Sequence, residues 1–267
     1  MRVGFTIIYN GLHHLEHNDY GEYLPRILDK WIIVEGAAEP GGSTNWCNSL
    51  NKGHSDDGTL NYIKRLALEY DNVFFVFNLK GKGEWVSKDE MVNAALSVLL
   101  AQGETDCFLW QIDADEQWSG PDMDKAENAL ADFGGSCGCF HAEYFVGKGI
   151  VAQGCWGEGS DPADPLRNAY RRLWRWKGQK FQTHEPPLLV GGNGREVLLD
   201  QRFKHYAYYF EKDVIFKSKY YKDYADVHHK WMDLQKEEVF PQPINRLIGG
   251  YWGGTDTWIV RYKEKRS

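Results

Sequence analysis

The segment that most constrains the fold of this chain runs from Phe108 to Glu116 and reads FLWQIDADE. Its first half is apolar and β-prone, which predicts a buried strand over residues 108–112. The strand ends in three carboxylates, Asp113, Asp115 and Glu116. Because side chains two positions apart share one face of a strand, Asp113 and Asp115 are predicted to point the same way. Crowded carboxylates repel one another, and a divalent cation such as Mg²⁺ or Mn²⁺ removes that cost. An acidic turn that caps a strand is the alternative interpretation.

Strand and helix patterns alternate along the chain before this segment. Three further apolar runs predict strands, at Val3 to Tyr9, Trp31 to Val34 and Val73 to Phe77. Ser87, followed by Glu90 at the capping-box position, predicts the start of a helix that ends at Gly103. This alternation predicts an α/β fold with a mostly parallel sheet flanked by helices. Such sheets bind ligands outside the carboxyl ends of their strands. Those ends are Tyr9-Asn10, Glu35, Asn78 and Asp113 to Glu116.

The second half of the chain has a different character. Strands are predicted at Cys137 to Val146 and Leu173 to Lys177, and Phe210 to Gln235 is predicted to be mostly helical. We expect one domain over residues 1–235, whose halves are 1–118 and 119–235, followed by a C-terminal extension. The extension comprises residues 236–267. The second half is expected to build a mixed sheet and a variable binding face.

Composition excludes several classes of protein. The 267 residues are enough for one large domain, and 42% hydrophobic with 26% charged residues is typical of soluble globular proteins. The net charge of −7 argues against a generic polyanion binder. No apolar run approaches the ~20 residues that cross a bilayer, and no signal-peptide pattern follows Met1. The five scattered cysteines are expected to be reduced thiols, although Cys137, Cys139 and Cys155 together are a possible zinc set. We expect a cytosolic protein.

Two later segments sharpen the interpretation of the acidic box. The box is followed by a first segment, Arg172 to Gly178, which leads to Phe181 to Glu185. The second segment runs from Phe203 to Tyr208. Together with Glu35 and the Asp-Ala-Asp-Glu box, these segments resemble the GT-A glycosyltransferases of the family-2 group. The resemblance covers roughly residues 1–225. The chain departs from the family pattern at Val92-Asn93, where the family has Arg-Asn, and at Ala207, where glycine is usual.

The resemblance implies a GT-A-like fold and a metal-dependent transfer of sugar from a nucleotide-diphosphate sugar, UDP-linked, with inversion. Mn²⁺ or Mg²⁺ would be held by Asp115 as direct ligand, by Asp113 and by His205. Asp113 would contact the ribose or a metal-bound water. The donor nucleotide would be contacted near the strand ends by Tyr9, Asn10, Glu35, Asn93 and Asp113. The second half, residues 119–235, would form the acceptor side.

The same resemblance implies the groups that act on the acceptor. Glu185 would be the base that deprotonates the acceptor hydroxyl, with Glu116 as the competing candidate. Trp156 and His184 would contact the acceptor. A polar turn before Pro186 is the structural alternative for His184-Glu185. The acceptor itself stays open between a glycan, a peptide and a hydroxymethylated DNA base.

Two other functions fit parts of the pattern. A nucleotidyltransferase of related architecture would carry a Gly-rich, Arg-containing loop after the first strand, which Tyr9 to His14 does not supply. A non-catalytic module that binds carbohydrate or nucleic acid would have no chemical need for the acidic box, His205 and Glu185 together. The sequence therefore favours the glycosyltransferase.

Overall fold

The computed structural model of the protein describes residues 1–38, 53–78, 84–153, 166, 169–220, 226–247 and 257–263. Thirteen strands lie in these residues: β1 (Arg2–Ile8), β2 (Lys30–Glu35), β3 (Val73–Phe77), β4 (Cys107–Gln111), β5 (Glu116–Gln117), β6 (Cys137–Gly147), β7 (Ile150–Gln153), β8 (Tyr170–Trp176), β9 (Phe181–His184), β10 (Pro187–Leu189), β11 (Glu196–His205), β12 (Gln242–Pro243) and β13 (Trp258–Arg261). The helices of the same residues are α1 (Leu12–His17), α2 (Tyr20–Ile27), α3 (Thr59–Glu69), α4 (Lys88–Ala101), α5 (Gly120–Asp132), α6 (Glu211–Tyr220), α7 (Val227–Gln235) and a 3-10 helix (Ile244–Arg246).

The chain divides into two compact units that alternate along the sequence. The first unit comprises Met1–Asp115, Gly120–Cys139 and Arg171–Leu199. The second comprises Glu116–Ser119, Phe140–Tyr170 and Asp200–Ser267. The sequence predicts two consecutive halves instead, because local patterns do not reveal that the chain returns to the first unit.

The first unit contains a sheet with strand order β3, β2, β1, β4, β8. Its first four strands are parallel, with Ile8 opposite Glu35 and Phe5 opposite Gln111. β8 is antiparallel to β4. Helices α2, α3 and α4 pack on these strands. The α/β class predicted from the sequence, a mostly parallel sheet flanked by helices with mixed strands in the second half, is confirmed.

Buried apolar strands and a capped helix N-terminus contribute to this architecture. The side chains of β2 from Trp31 to Glu35 are all buried, as expected for a parallel strand covered on both faces. α4 begins as predicted, because Ser87 Oγ accepts the backbone N–H of Glu90. The Glu90 carboxylate accepts the N–H of Val86, one residue before the expected capping-box partner.

The second unit is built from antiparallel pairs and two helices. β5 pairs with β11, and β7 pairs with both β6 and β13. Its apolar core joins residues of β6 and β7 to residues of α7, among them Tyr144, Ile150 and Trp231. Ile259 of β13 is fully buried in this core. The described part of the C-terminal extension therefore belongs to the second unit, where β13 pairs with both β12 and β7.

Candidate functional site

The backbone on both sides of Asp113 is fixed by side chains from earlier elements. Thr6 of β1 donates from Oγ1 to the carbonyl of Ile112 over 2.7 Å. Asn18, the C-cap of α1, donates from Nδ2 to the carbonyl of Ala114 over 2.9 Å. These two buried or half-buried bonds hold the segment that follows β4 at the carboxyl edge of the sheet.

Asp113 and Asp115 both lie beyond the end of their strand. β4 ends at Gln111, two residues before Asp113. The alternation that predicted a common face for the two carboxylates therefore does not extend over them. Both side chains are half-buried, so each is accessible in part to solvent. The assignment of Asp113 and Asp115 as metal ligands stays a prediction.

The Asp113 carboxylate has two partners in the first unit. Arg172 of β8 donates from Nη2 to Oδ2 over 2.8 Å. Gln111 donates from Nε2 to Oδ1 over 3.2 Å. The Arg172 side chain is 7% exposed and that of Asp113 is 26% exposed. Sequence reasoning assigned no role to Arg172, although it begins the Arg-Leu-Trp-Arg segment, and no role to Gln111.

His184, at the end of β9, is a buried neutral imidazole. Burial lowers its pKa to about 4, and the positive charges of Lys88 and Arg172 act in the same direction. Gln111 Nε2 lies 3.1 Å from His184 Nε2, so the neutral ring accepts there and carries its proton on Nδ1. The His184 backbone N–H donates to the carboxylate of Asp89. The predicted contact of His184 with the acceptor stays a prediction.

Glu185 lies beside a lysine from the first turn of α4. Lys88 Nζ is 3.5 Å from Glu185 Oε2. The Lys88 side chain is 10% exposed and the Glu185 side chain is 58% exposed. The carboxylate predicted to act as base is therefore accessible, and a shielded cation lies next to it. Sequence reasoning did not identify Lys88.

The residues after β1 are tied to the segment that precedes α3. Asn10 adopts a left-handed conformation with φ of 51°, which asparagine tolerates. Its N–H donates to Ser55 Oγ over 2.9 Å, and its Oδ1 accepts the N–H of Asp56 over 2.9 Å. The adjacent Tyr9 is buried. The predicted contacts of both residues with a nucleotide stay predictions.

The next two backbone amides after β1 are also capped by side chains. The N–H of Gly11 donates to Thr59 Oγ1 over 3.1 Å. The N–H of Leu12 donates to Asp57 Oδ2 over 3.1 Å. With Asn10, three successive amides at this strand end therefore have protein acceptors.

Glu35, the last residue of β2, is completely buried. Its Oε1 accepts the N–H of Ser55 over 2.7 Å. Its Oε2 lies 3.0 Å from Nδ1 of His54, whose side chain is 30% exposed. Both carboxylate oxygens thus contact the protein, and His54 is the more accessible member of the pair. Sequence reasoning did not identify His54, which precedes α3 without any recognisable motif.

Asn93 of α4 holds β9 through its amide. Its Nδ2 donates to the carbonyl of Phe181 over 2.9 Å, and its Oδ1 accepts the N–H of Phe181 over 2.9 Å. The Asn93 side chain therefore bonds both the N–H and the carbonyl of Phe181, as the backbone of a neighbouring strand would. The predicted contact with the nucleotide stays a prediction.

Two of the predicted residues belong to the second unit. Glu116 of β5 is completely buried, and its carboxylate accepts Trp118 Nε1 over 3.1 Å. His205 of β11 is paired opposite Glu116, and its ring packs edge-on against Tyr144 and Tyr170. The predicted roles of Glu116 and His205 stay predictions.

Trp156, predicted to contact the acceptor, lies outside the described residues. Across the residues that the structure describes, no helix combines the length and apolar character required to cross a membrane.

Comparison with known proteins gives structural similarities at low identity. No family model matches the sequence, and no curated protein matches it. The structure is similar to S. aureus TarS 1–349, with a TM-score of 0.48, 12% identity, and coverage of 87% of this chain and 69% of that one. The same TarS fragment in complex with UDP-GlcNAc has a TM-score of 0.43 and 12% identity, covering 87% and 70%. A 4-diphosphocytidyl-2C-methyl-D-erythritol synthase has a TM-score of 0.36 and 12% identity, covering 66% and 74%. These similarities assign no activity to this chain.

Proposed function

We propose that this protein is a glycosyltransferase that moves a sugar from a UDP-linked donor to a hydroxyl group of an acceptor. The observation that carries the proposal is the layout of the carboxyl edge of the parallel sheet. Asp113 follows β4, Asn10 follows β1 and Glu35 ends β2, and these three strands are neighbours. Open α/β sheets bind their ligands at this edge.

The amides after β1 favour this function over nucleotidyl transfer. An enzyme that wraps the phosphates of a nucleoside triphosphate in the loop after its first strand needs unoccupied N–H donors there. In this protein the N–H groups of Asn10, Gly11 and Leu12 donate to Ser55, Thr59 and Asp57. The diphosphate is therefore expected at the end of β4 instead, beside Asp113.

The residues after β4 carry the type of ligand atom that a divalent cation prefers. Asp113 and Asp115 offer hard carboxylate oxygens, and both side chains are half-buried. Mg²⁺ and Mn²⁺ prefer such ligands and complete their coordination with phosphate oxygens. We propose that Asp115 and Asp113 hold the ion. A bound ion would neutralise the charge of the departing diphosphate.

The transfer exchanges one bond at the anomeric carbon. The bond from this carbon to the diphosphate oxygen breaks, and a bond to the acceptor oxygen forms on the opposite face. The acceptor proton passes to a carboxylate, for which we propose Glu185. Its side chain is 58% exposed, whereas Glu116 is completely buried. A base must reach the acceptor hydroxyl, and this difference in exposure favours Glu185.

A screen with a panel of nucleotide sugars tests the proposal. Release of UDP is measured with Mn²⁺, with Mg²⁺ and with a chelator, and UDP binding is measured by calorimetry under the same conditions. We expect a UDP-linked sugar to be hydrolysed slowly, and only with a metal ion. Acceptors from three classes, glycans, peptides and hydroxymethylated DNA, are then compared with the active donor.

Asp71→Ala is the matched control for the aspartates of the site. Asp71 is exposed and precedes β3, at the amino end of the parallel strands. If no nucleotide sugar is turned over and no uridine nucleotide binds, the proposed function is wrong.

A further inference from the structure

We propose that His54 recognises the nucleobase of the donor by accepting a hydrogen bond from the N3–H group of uracil. This inference rests on the proposed function and specifies which residue selects the nucleotide. It also gives Glu35 an indirect role, as the residue that positions His54. The direct contact between Glu35 and the nucleotide that the sequence predicts is thereby replaced.

The buried carboxylate of Glu35 fixes the tautomer of His54. A carboxylate only accepts hydrogen bonds, so a neutral His54 ring carries its proton on Nδ1, which is 3.0 Å from Glu35 Oε2. The other oxygen of Glu35 is occupied by the N–H of Ser55. Nε2 of His54 is then an acceptor, and it lies on the side of the ring directed away from Glu35.

The ring of His54 is held in place while part of it stays accessible. Its edge packs against Phe77 at the end of β3, with ring centroids 6.0 Å apart. The His54 side chain is 30% exposed, whereas Glu35 is 0% exposed. Because Nδ1 is directed toward the buried carboxylate, the accessible part of the ring includes Nε2. A fixed and accessible acceptor is what base recognition requires.

The position of His54 along the sheet matches the base end of a bound nucleotide. The strand order is β4, β1, β2, β3, and His54 contacts the ends of β2 and β3. Neighbouring strands are about 4.8 Å apart, so Asp113 after β4 and Glu35 at the end of β2 are separated by roughly 10 Å. That separation suits a nucleotide whose diphosphate lies at Asp113 and whose ribose spans β1.

The tautomer selects among the pyrimidine bases. Uracil carries a proton on N3, and cytosine carries a lone pair there. An acceptor at Nε2 accepts a hydrogen bond from N3–H of uracil. Opposite cytosine, the lone pair of Nε2 would face the lone pair of N3 and repel it. A site built on one hydrogen bond disfavours an analogue that lacks the donor, because the bound base covers the acceptor and leaves it unpaired. His54 would therefore favour UDP over CDP.

Glu35→Gln tests the role of Glu35 because it exchanges the donor and acceptor nitrogens of the His54 ring. The backbone N–H of Ser55 requires the amide oxygen of the new glutamine as its acceptor. The amide nitrogen then faces His54 and donates to Nδ1, which moves the ring proton to Nε2. The variant keeps the shape of the pair and presents a donor where the wild-type protein presents an acceptor.

The experiment compares the affinities of UDP and of N3-methyl-UDP by calorimetry with Mn²⁺. For the wild-type protein we expect methylation to weaken binding on the order of tenfold or more. For His54→Ala and for Glu35→Gln we expect the ratio of the two affinities to fall to about threefold or less. Nitrogen chemical shifts of His54 should show the Nδ1–H tautomer in the wild-type protein and the Nε2–H tautomer in Glu35→Gln.

His229→Ala, whose side chain is 84% exposed on α7, is the matched control and should retain the wild-type ratio. His54→Gln is measured as well, in case the alanine variant does not fold. A wild-type protein that binds UDP and N3-methyl-UDP equally, or a His54→Ala variant that discriminates like wild type, would overturn the inference. A wild-type protein that binds no uridine nucleotide contradicts the proposed function itself, so the two failures are distinguishable.

Discussion

Arg172 forms an ion pair with Asp113, with 2.8 Å between Nη2 and Oδ2. The guanidinium is almost completely shielded from solvent, and the carboxylate is partly exposed. The cation compensates the negative charge that Asp113 and Asp115 place at one edge of the sheet.

Removal of this cation should reduce stability. Arg172→Met leaves Asp113 without its ionic partner, and we expect the free energy of unfolding in urea to fall by about 1–3 kcal/mol. The double variant with Asp113→Asn should recover part of that loss, because no unpaired carboxylate then remains. Arg26→Met is the control, since the ion pair of Arg26 with Glu22 is exposed and should contribute less than about 1 kcal/mol. Additive effects of the two site variants would contradict the coupling.

Asp115→Ala should abolish metal-dependent binding of UDP and leave the fold intact. The lost carboxylate is the proposed direct ligand, and its removal also relieves repulsion among neighbouring acidic groups. Calorimetric titration of UDP with and without Mn²⁺ measures the first effect, and thermal unfolding measures the second. Mn²⁺-dependent affinity equal to that of the Asp71→Ala control would exclude Asp115 as a ligand.

Glu185→Gln should reduce turnover and preserve donor affinity. Glutamine keeps the size and hydrogen bonding of the side chain but accepts no proton. We expect kcat to fall by about 10²- to 10⁴-fold, with the Kd for UDP close to that of wild type. Glu116→Gln is measured in parallel. Loss of activity in Glu116→Gln alone would move the role of base to Glu116.

Stability should decrease as the pH falls below the ordinary pKa of histidine. Burial lowers the pKa of His184 from 6.5 to about 4, so the folded protein keeps this ring neutral while the unfolded chain becomes protonated. The stabilisation is therefore complete above pH 6.5 and is lost between pH 6.5 and 4. Integrated over this window the loss is about 3 kcal/mol. Denaturant midpoints measured across the window should show a smaller slope for His184→Gln than for wild type.

Asn93→Ala separates a structural role from a nucleotide contact. The variant removes both hydrogen bonds to the backbone of Phe181, which is itself buried. We expect a loss of about 1–3 kcal/mol in the free energy of unfolding. If the amide acts only on β9, the Kd for UDP at a temperature where the variant is folded stays unchanged. A large loss of UDP affinity in a stable variant would instead support the contact predicted from the sequence.

Local sequence patterns determined several elements of this protein and the position of its acidic box. The apolar run at Val73 to Phe77 coincides with β3, and Ser87 caps α4 as its spacing with Glu90 predicts. These features depend on residues a few positions apart, so the chain itself carries the information. The alternation of elements was likewise enough for the α/β class.

Only the tertiary structure decided which side chains meet at the site. Arg172 and Asp113 are 59 residues apart, and Asn93 and Phe181 are 88 apart. Their pairing depends on the path of the chain between strands, which leaves no periodic signal in the sequence. The burial of Glu35 and the exposure of His54 likewise leave no signal in the sequence, because burial is set by what packs around a residue. The sequence by itself therefore determined several elements and the position of the acidic box, whereas the fold selected the partners of these residues through contacts between distant segments.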